Sequence, residues 1–295
     1  MDNDVAGTRT LQQVIQSVPT SDGAGVKLPR SLGRSQGLRL DPFLMLDEFS
    51  SDDANDYIAG FPAHPHRGFE TVTYLLDGHM LHEDHLGHRG DLKTGSVQWM
   101  TAGRGIIHSE MPQQEQGRMR GFQLWINLPA REKMKPASYR DIPPSEIPLV
   151  PLPGGGRAKV IAGTLVLDGQ STPGPIQGLT TDPLYIDVEL PAAGKFSHAV
   201  KSDYNVFVYP YEGSINVGPI GAARPLDAHN AGVLSAGGRI EVTAGAEGAR
   251  LLVLAGRPLR EPIVQYGPFV MNTREEIEQA IQDYQSGELT SSVAH

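Results

Sequence analysis

Two short pairs of side chains could carry chemistry in this chain: His64-Pro65-His66 and His108-Ser109-Glu110. On an extended strand, residues two apart project to the same side and sit close enough to share one ion. Two such pairs on facing strands of a small barrel would converge from opposite walls, offering three imidazoles and one carboxylate. That donor set is borderline in softness and suits iron, manganese, cobalt, nickel, copper or zinc. On an octahedral ion it leaves two positions open, as oxygen chemistry or substrate chelation requires. Closed into a tetrahedron, the same four make a structural zinc site. Glu70 shares strand parity with His66, and spacing alone does not separate it from Glu110 as the fourth ligand. The series His82, His85 and His88 reads as a solvated or hydrogen-bonded loop, because HEDHLGHRG follows the hairpin signal Asp77-Gly78.

The elements that must position these residues are short strands. With 34 glycines and 23 prolines, the composition favours many short elements joined by turns over long helices. Residues 69–76 (FETVTYLL), 96–100, 106–110 and 121–128 (GFQLWINL) have strand composition, and glycine-rich turns separate them as in a sandwich or barrel. One helix is legible near the C-terminus. Thr273 and Glu276 form a capping box, Ile277, Ala280, Ile281 and Tyr284 make a 3.6-residue stripe, and Gly287 supplies the stop.

A length of 295 residues has room for two domains. The segment 141–156, DIPPSEIPLVPLPGGG, reads as the connector, dividing the chain into 1–145 and 146–295. The two parts share sequence. Glu70 to Gly78 lies over Asn205 to Gly213 with Tyr74 on Tyr209; Leu92-Lys-Thr-Gly95 and Met100-Thr-Ala-Gly103 lie over Leu234-Ser-Ala-Gly237 and Val242-Thr-Ala-Gly245. In that register His64, His66, His108 and Glu110 fall on Ala199, Lys201, Arg250 and Leu252, and His198 is one position out, facing the other way. The second barrel is therefore expected to hold no metal.

Composition also excludes functions. The net charge is -9 and no basic run interrupts it. Arg30, Arg34 and Arg39 are too sparse for a phosphate-binding patch and read as a solvated face, so direct nucleic-acid binding is not expected. The absence of cysteine excludes disulfides, thiol nucleophiles and thiolate ligands. The opening MDNDVAG has neither the basic nor the apolar region of a signal peptide, and apolar runs such as residues 251–255 fall far short of the ~20 needed to span a bilayer. A cytoplasmic protein without membrane contact is expected.

FPAHPHRGFETVTYLLDG, GSVQWMTAGRGIIHSEMP and GFQLWINLP, with residues 40–49 (LDPFLMLDEF) upstream and FVMNTREEIEQAIQDY near the end, closely resemble the pirin family from about Arg30 to Gly287. The resemblance implies an all-β fold of two tandem cupin domains, each a jelly-roll β-barrel, with a short C-terminal helix. It implies metal ligands at His64, His66, His108 and Glu110, choosing Glu110 over Glu70. One divalent transition metal per chain follows, Fe(II) being the family's usual ion, with Mn, Co, Ni, Cu or Zn also accommodated. Gln123, on one strand face with Trp125 and Asn127, matches a pocket glutamine near the metal, so Glu110 and Gln123 are the catalytic candidates. Arg67 and Arg104 read as salt-bridging residues rather than anion guides. Two functions are implied: a quercetin 2,3-dioxygenase type of oxidoreductase acting on flavonols with O2, or a regulator that binds a protein partner according to the metal's redox state. A purely structural metal site is the third reading.

Overall fold

Short runs rich in β-branched and aromatic residues recur between glycine and proline turns, and the computed structural model is accordingly built from strands. It describes residues 7–33 and 35–291; the acidic stretch 1–6 and Arg34, both used above, lie outside. The strands form sheets of nine, seven and four members with two short two-stranded ribbons, and Arg274–Ser286 is the α-helix among the described residues. That helix is neither long nor apolar enough to cross a membrane.

The chain groups into two compact units. The first contains Pro19–Gly33, Phe43–Pro144 and residues 259–291. Its larger sheet runs in the order Ser138–Ile142, Val97–Thr101, Phe69–Asp77, Met119–Asn127, Phe43–Ser51, Val26–Arg30, Val18–Asp22. Its smaller sheet runs Phe61–His66, Ile106–Pro112, His79–Asp84, Arg89–Lys93. From Ser138–Ile142 to Val26–Arg30 in the larger sheet, and throughout the smaller, the pairs are antiparallel, the strand pattern of a cupin jelly roll. Gly68 makes the turn between Phe61–His66 and Phe69–Asp77 with φ of 91°, and a Cβ there would stand 2.0 Å from the carbonyl oxygen of Val270. Only glycine fits.

The division at residue 145 is not how the helix packs. Its apolar stripe, Ile277 and Ala280, is buried with Phe269, Met271 and Leu289 against Ile107 of the first unit, and Arg67 pairs with Asp283 at 2.7 Å. The capping box of Thr273 and Glu276 and the left-handed Gly287 are present as read from sequence.

The second unit contains residues 7–18, 35–42 and Ser145–Pro258 around a nine-stranded sheet. Its strands repeat the first unit's plan but correct the alignment. Leu234 closes strand Asn230–Leu234, and the turn at Gly237 leads into Arg239–Gly256. That is the place held in the first unit by Met100-Thr-Ala-Gly103, between Val97–Thr101 and Ile106–Pro112. The Leu-Ser-Ala-Gly match was one strand out. Strand pairing gives the true correspondence. His64 faces His108 in the first ladder, and Phe196 faces Val242 in the second, with His198 facing Ile240. Burial alternates so that Ile106, His108 and Glu110 point inward in one, and Ile240, Val242 and Ala244 in the other. His198 is therefore an inward residue, 5% exposed, not one facing the opposite side.

Candidate metal centre and its cavity

Antiparallel pairing of Phe61–His66 with Ile106–Pro112 sets His64 directly across from His108 and His66 across from Ile106. A ligand nitrogen from each of His64, His66 and His108 lies within 4.8 Å of the other two. His66 and His108 are 3% and 1% exposed.

Each of the three rings keeps one nitrogen without a hydrogen-bond partner. His64 places Nδ1 2.8 Å from the carbonyl oxygen of Pro62, to which it donates, leaving Nε2 as a lone-pair donor. His108 turns Nδ1 toward Nδ1 of His82 at 3.3 Å, and its Nε2 is buried without a partner. Nδ1 of His66 is likewise buried and unpartnered. Burial first, then the neighbouring imidazoles, holds both His66 and His108 well below the usual histidine range. They are neutral, as metal ligation demands. Buried nitrogens left unsatisfied are costly, and these two, with the free Nε2 of the half-buried His64, fit a cation.

His82 is the residue that sequence reading missed. It belongs to strand His79–Asp84, not to a loop, and is 1% exposed beside His108. Its signal was parity with Met80, the other buried residue of that strand. His85 and His88 are exposed.

Glu110 follows His108 by two residues beyond a bulge in the ladder and is 4% exposed. Thr73 Oγ1 stands 3.0 Å from its Oε1 and 2.6 Å from Gln123 Oε1, and Gln123 Nε2 lies 3.4 Å from Glu110 Oε2. Glu70 is separated from this group by strand parity. Thr73 lines the cavity while Glu70, three residues before it, faces the opposite side of the sheet and accepts a 2.7 Å hydrogen bond from Thr101 Oγ1.

A cavity of about 610 Å³ opens beside the cluster, with His64, His66, Glu110, Thr73, Gln123 and Trp125 in its lining and Leu28, Leu44, Met45 and Phe49 supplying apolar wall. That size suits a small organic molecule. Asn127, the third residue of the Gln123 face, binds Lys133 instead. Arg67 is committed to Asp283 and to the carbonyl oxygen of Arg104. Arg30, read above as part of a solvated face, lines the cavity in an ion pair with Asp47.

In the second unit the positions of His64, His108 and Glu110 hold Phe196, Val242 and Ala244, those of Thr73 and Gln123 hold Val208 and Val253, and the position of His66 keeps an imidazole, His198. The five apolar residues sit in one hydrophobic cluster.

Two jelly-roll units, one with clustered imidazoles on a cavity and one whose matching positions are apolar but for a single histidine, define a bicupin. The chain belongs to the pirin family: residues 25–126 match Pirin and residues 185–290 match the pirin C-terminal cupin domain. A Pseudomonas aeruginosa protein provisionally named quercetin 2,3-dioxygenase is 55% identical over 92% of this chain and 94% of its own. Human pirin is 41% identical over 90% of this chain and 89% of its own. The crystal structure of quercetin 2,3-dioxygenase from Acinetobacter baumannii superposes with a TM-score of 0.86 at 33% identity, covering 97% of this chain and all of that one.

Proposed function

We propose that this protein is a metal-dependent dioxygenase of the quercetin 2,3-dioxygenase type, acting on flavonols and O2. In this reading His64, His66, His108 and Glu110 hold one iron(II) per chain. The observation that carries it is the convergence of unpartnered, neutral imidazole nitrogens on the wall of a largely apolar cavity. Names borne by relatives point the same way.

When bound, the metal would acidify a flavonol hydroxyl and supply the redox partner that lets O2 react. The chain's own residues do the rest. Leu44, Met45 and Trp125 accept flat rings and exclude water. Glu110 Oε1 is the acceptor for the substrate's 3-hydroxyl proton. A hydroxyl carries one hydrogen, so Thr73 cannot donate to Glu110 and Gln123 together. A proton arriving on Glu110 Oε1 resolves that conflict. Glu110 then donates to Thr73 Oγ1, Thr73 donates to Gln123 Oε1, and Gln123 Nε2 holds Glu110 Oε2. Both atoms of O2 end in the ring-opened ester, and one ring carbon leaves as carbon monoxide.

The test uses protein stripped with a chelator and reloaded anaerobically with one metal at a time. Flavonol addition should shift the flavonol absorption band, and admitting air should bleach it with one carbon monoxide per flavonol. His108→Ala should lose both metal and band. Gln123→Leu should keep the metal and slow turnover by about a hundredfold or more, within the range for a general acid–base contact. Fully metallated protein giving neither band nor carbon monoxide overturns the proposal.

A further inference from the structure

A row of polar side chains crosses the apolar cavity on adjacent strands. Thr73 lies opposite Gln123, Gln123 opposite Asp47, and Asp47 opposite Arg30. All four line the cavity. Thr73 ends the row at Glu110, beside the histidines; Arg30 ends it on the other side. Three inter-strand steps of about 4.8 Å separate them, so the two backbones stand about 14 Å apart. A flat molecule of three rings has that reach.

Arg30 is fixed in place. Its Nε and Nη2 donate to the two oxygens of Asp47 at 2.7 Å each, and Nη2 also donates to Asp22 at 2.7 Å. Asp47 is 2% exposed, so the fork is anchored on a buried carboxylate and its geometry is pre-set. Three of the five guanidinium hydrogens are thereby used. The two on Nη1 have no partner among the described residues. Asp22 stands alongside with a half-exposed carboxylate.

We propose that Arg30 is the specificity-determining residue of the cavity, receiving the hydroxyl oxygens of a substrate's aryl ring at the end remote from the histidines. A phenolic hydroxyl accepts from Nη1 and donates to the Asp22 carboxylate, so it is matched in both directions. An unhydroxylated ring leaves both groups to water. The inference rests on the flavonol reading of the cavity and adds to it which flavonols are preferred.

Anaerobic calorimetric titration of the metal-loaded protein separates the two claims. The probes are two flavonols that differ only in the pendant aryl ring, one unsubstituted and one 3′,4′-dihydroxylated. The wild type should bind the dihydroxylated ligand about tenfold more tightly, as for hydrogen bonds to a charged group. Arg30→Gln combined with Asp47→Asn removes the guanidinium without stranding a buried charge. That variant should bind both ligands equally, at the affinity the wild type shows for the unsubstituted one. Arg30→Lys, which keeps a cation beside Asp47, should retain part of the preference and the wild-type melting temperature. Equal binding of both ligands by the wild type overturns the role of Arg30 while leaving the flavonol site standing. A preference that survives in the double variant does the same. Binding of neither ligand overturns both claims together.

Discussion

A buried imidazole nitrogen without a partner must be offset somewhere, and His66 and His108 on one side and His198 on the other meet that need differently. His66 and His108 have one another and His64 within reach, and a cation resolves all three. His198 has no such company. It is 5% exposed, its Nδ1 is unpartnered, and its ring stacks beside Phe196 at 6.4 Å. Burial, with the charge of Arg239 second, lowers its pKa to about 4 from the ordinary 6.5. Because the folded value is the lower one, the unfolded chain binds the proton more readily between those limits. Stability contributed at neutral pH is therefore lost as pH falls from about 6.5 to about 4, by up to about 3 kcal/mol. His198→Leu removes that loss. In urea titrations the variant should gain on the wild type by about 2–3 kcal/mol between pH 7 and pH 4.5. A gap that stays constant with pH would show that His198 does not titrate in this window.

Lys133 ties together the turn that follows His66, the end of strand Met119–Asn127 and the C-terminal segment. It is 1% exposed, and its Nζ donates to the carbonyl oxygens of Gly68 and Val270 and to Asn127 Oδ1 at 2.7, 2.9 and 2.6 Å. Burial pulls its pKa down to about 7, with Glu261 and Glu276 opposing. Three acceptors use all three ammonium hydrogens, which favours the charged form further. Lys133→Met keeps the stem and strands three acceptors, so a loss of about 3 kcal/mol or more is expected in urea unfolding. Metal affinity should fall with it, since Gly68 lies two residues from His66. Unchanged stability would mean that water replaces the ammonium. The sequence told some of this story and not the rest, for reasons of range. The capping box and Gly287 are local signals and place the helix correctly. Where the helix docks depends on Arg67 and Asp283, 216 residues apart, and no local pattern carries that. His-x-His and His-x-Glu are period-two signals, so the strands and the facing of His64 and His108 were legible. His82 was not, because a nearby turn signal outweighed the parity it shares with Met80. The small-residue motif Leu-Ser-Ala-Gly fits any strand-to-turn junction, and only the hydrogen-bonded ladder of His198 with Ile240 decides which one it occupies.

The two units divide the work through what fills them. In the first, inward positions carry imidazoles, a carboxylate, an amide and a hydroxyl around open volume. In the second, the same positions carry Phe196, Val242, Ala244, Val208 and Val253 in one apolar cluster, with His198 at the place of His66 as the single imidazole left. Replacing polar lining by a close-packed core is the stabilising arrangement for a barrel, so the first unit keeps its polar interior at an expense that a ligand can repay. Metal binding to the folded chain should repay it in the first unit, by about 2.7 kcal/mol at a free metal concentration one hundred times Kd. Hydrogen exchange can locate that gain. Amides of Phe61–His66 and Ile106–Pro112 should exchange more slowly in metal-loaded than in chelated protein, and those of Lys195–Ala199 should not change. Equal protection in both ladders would place metal in the second unit as well, and the reading of its apolar interior would then be wrong.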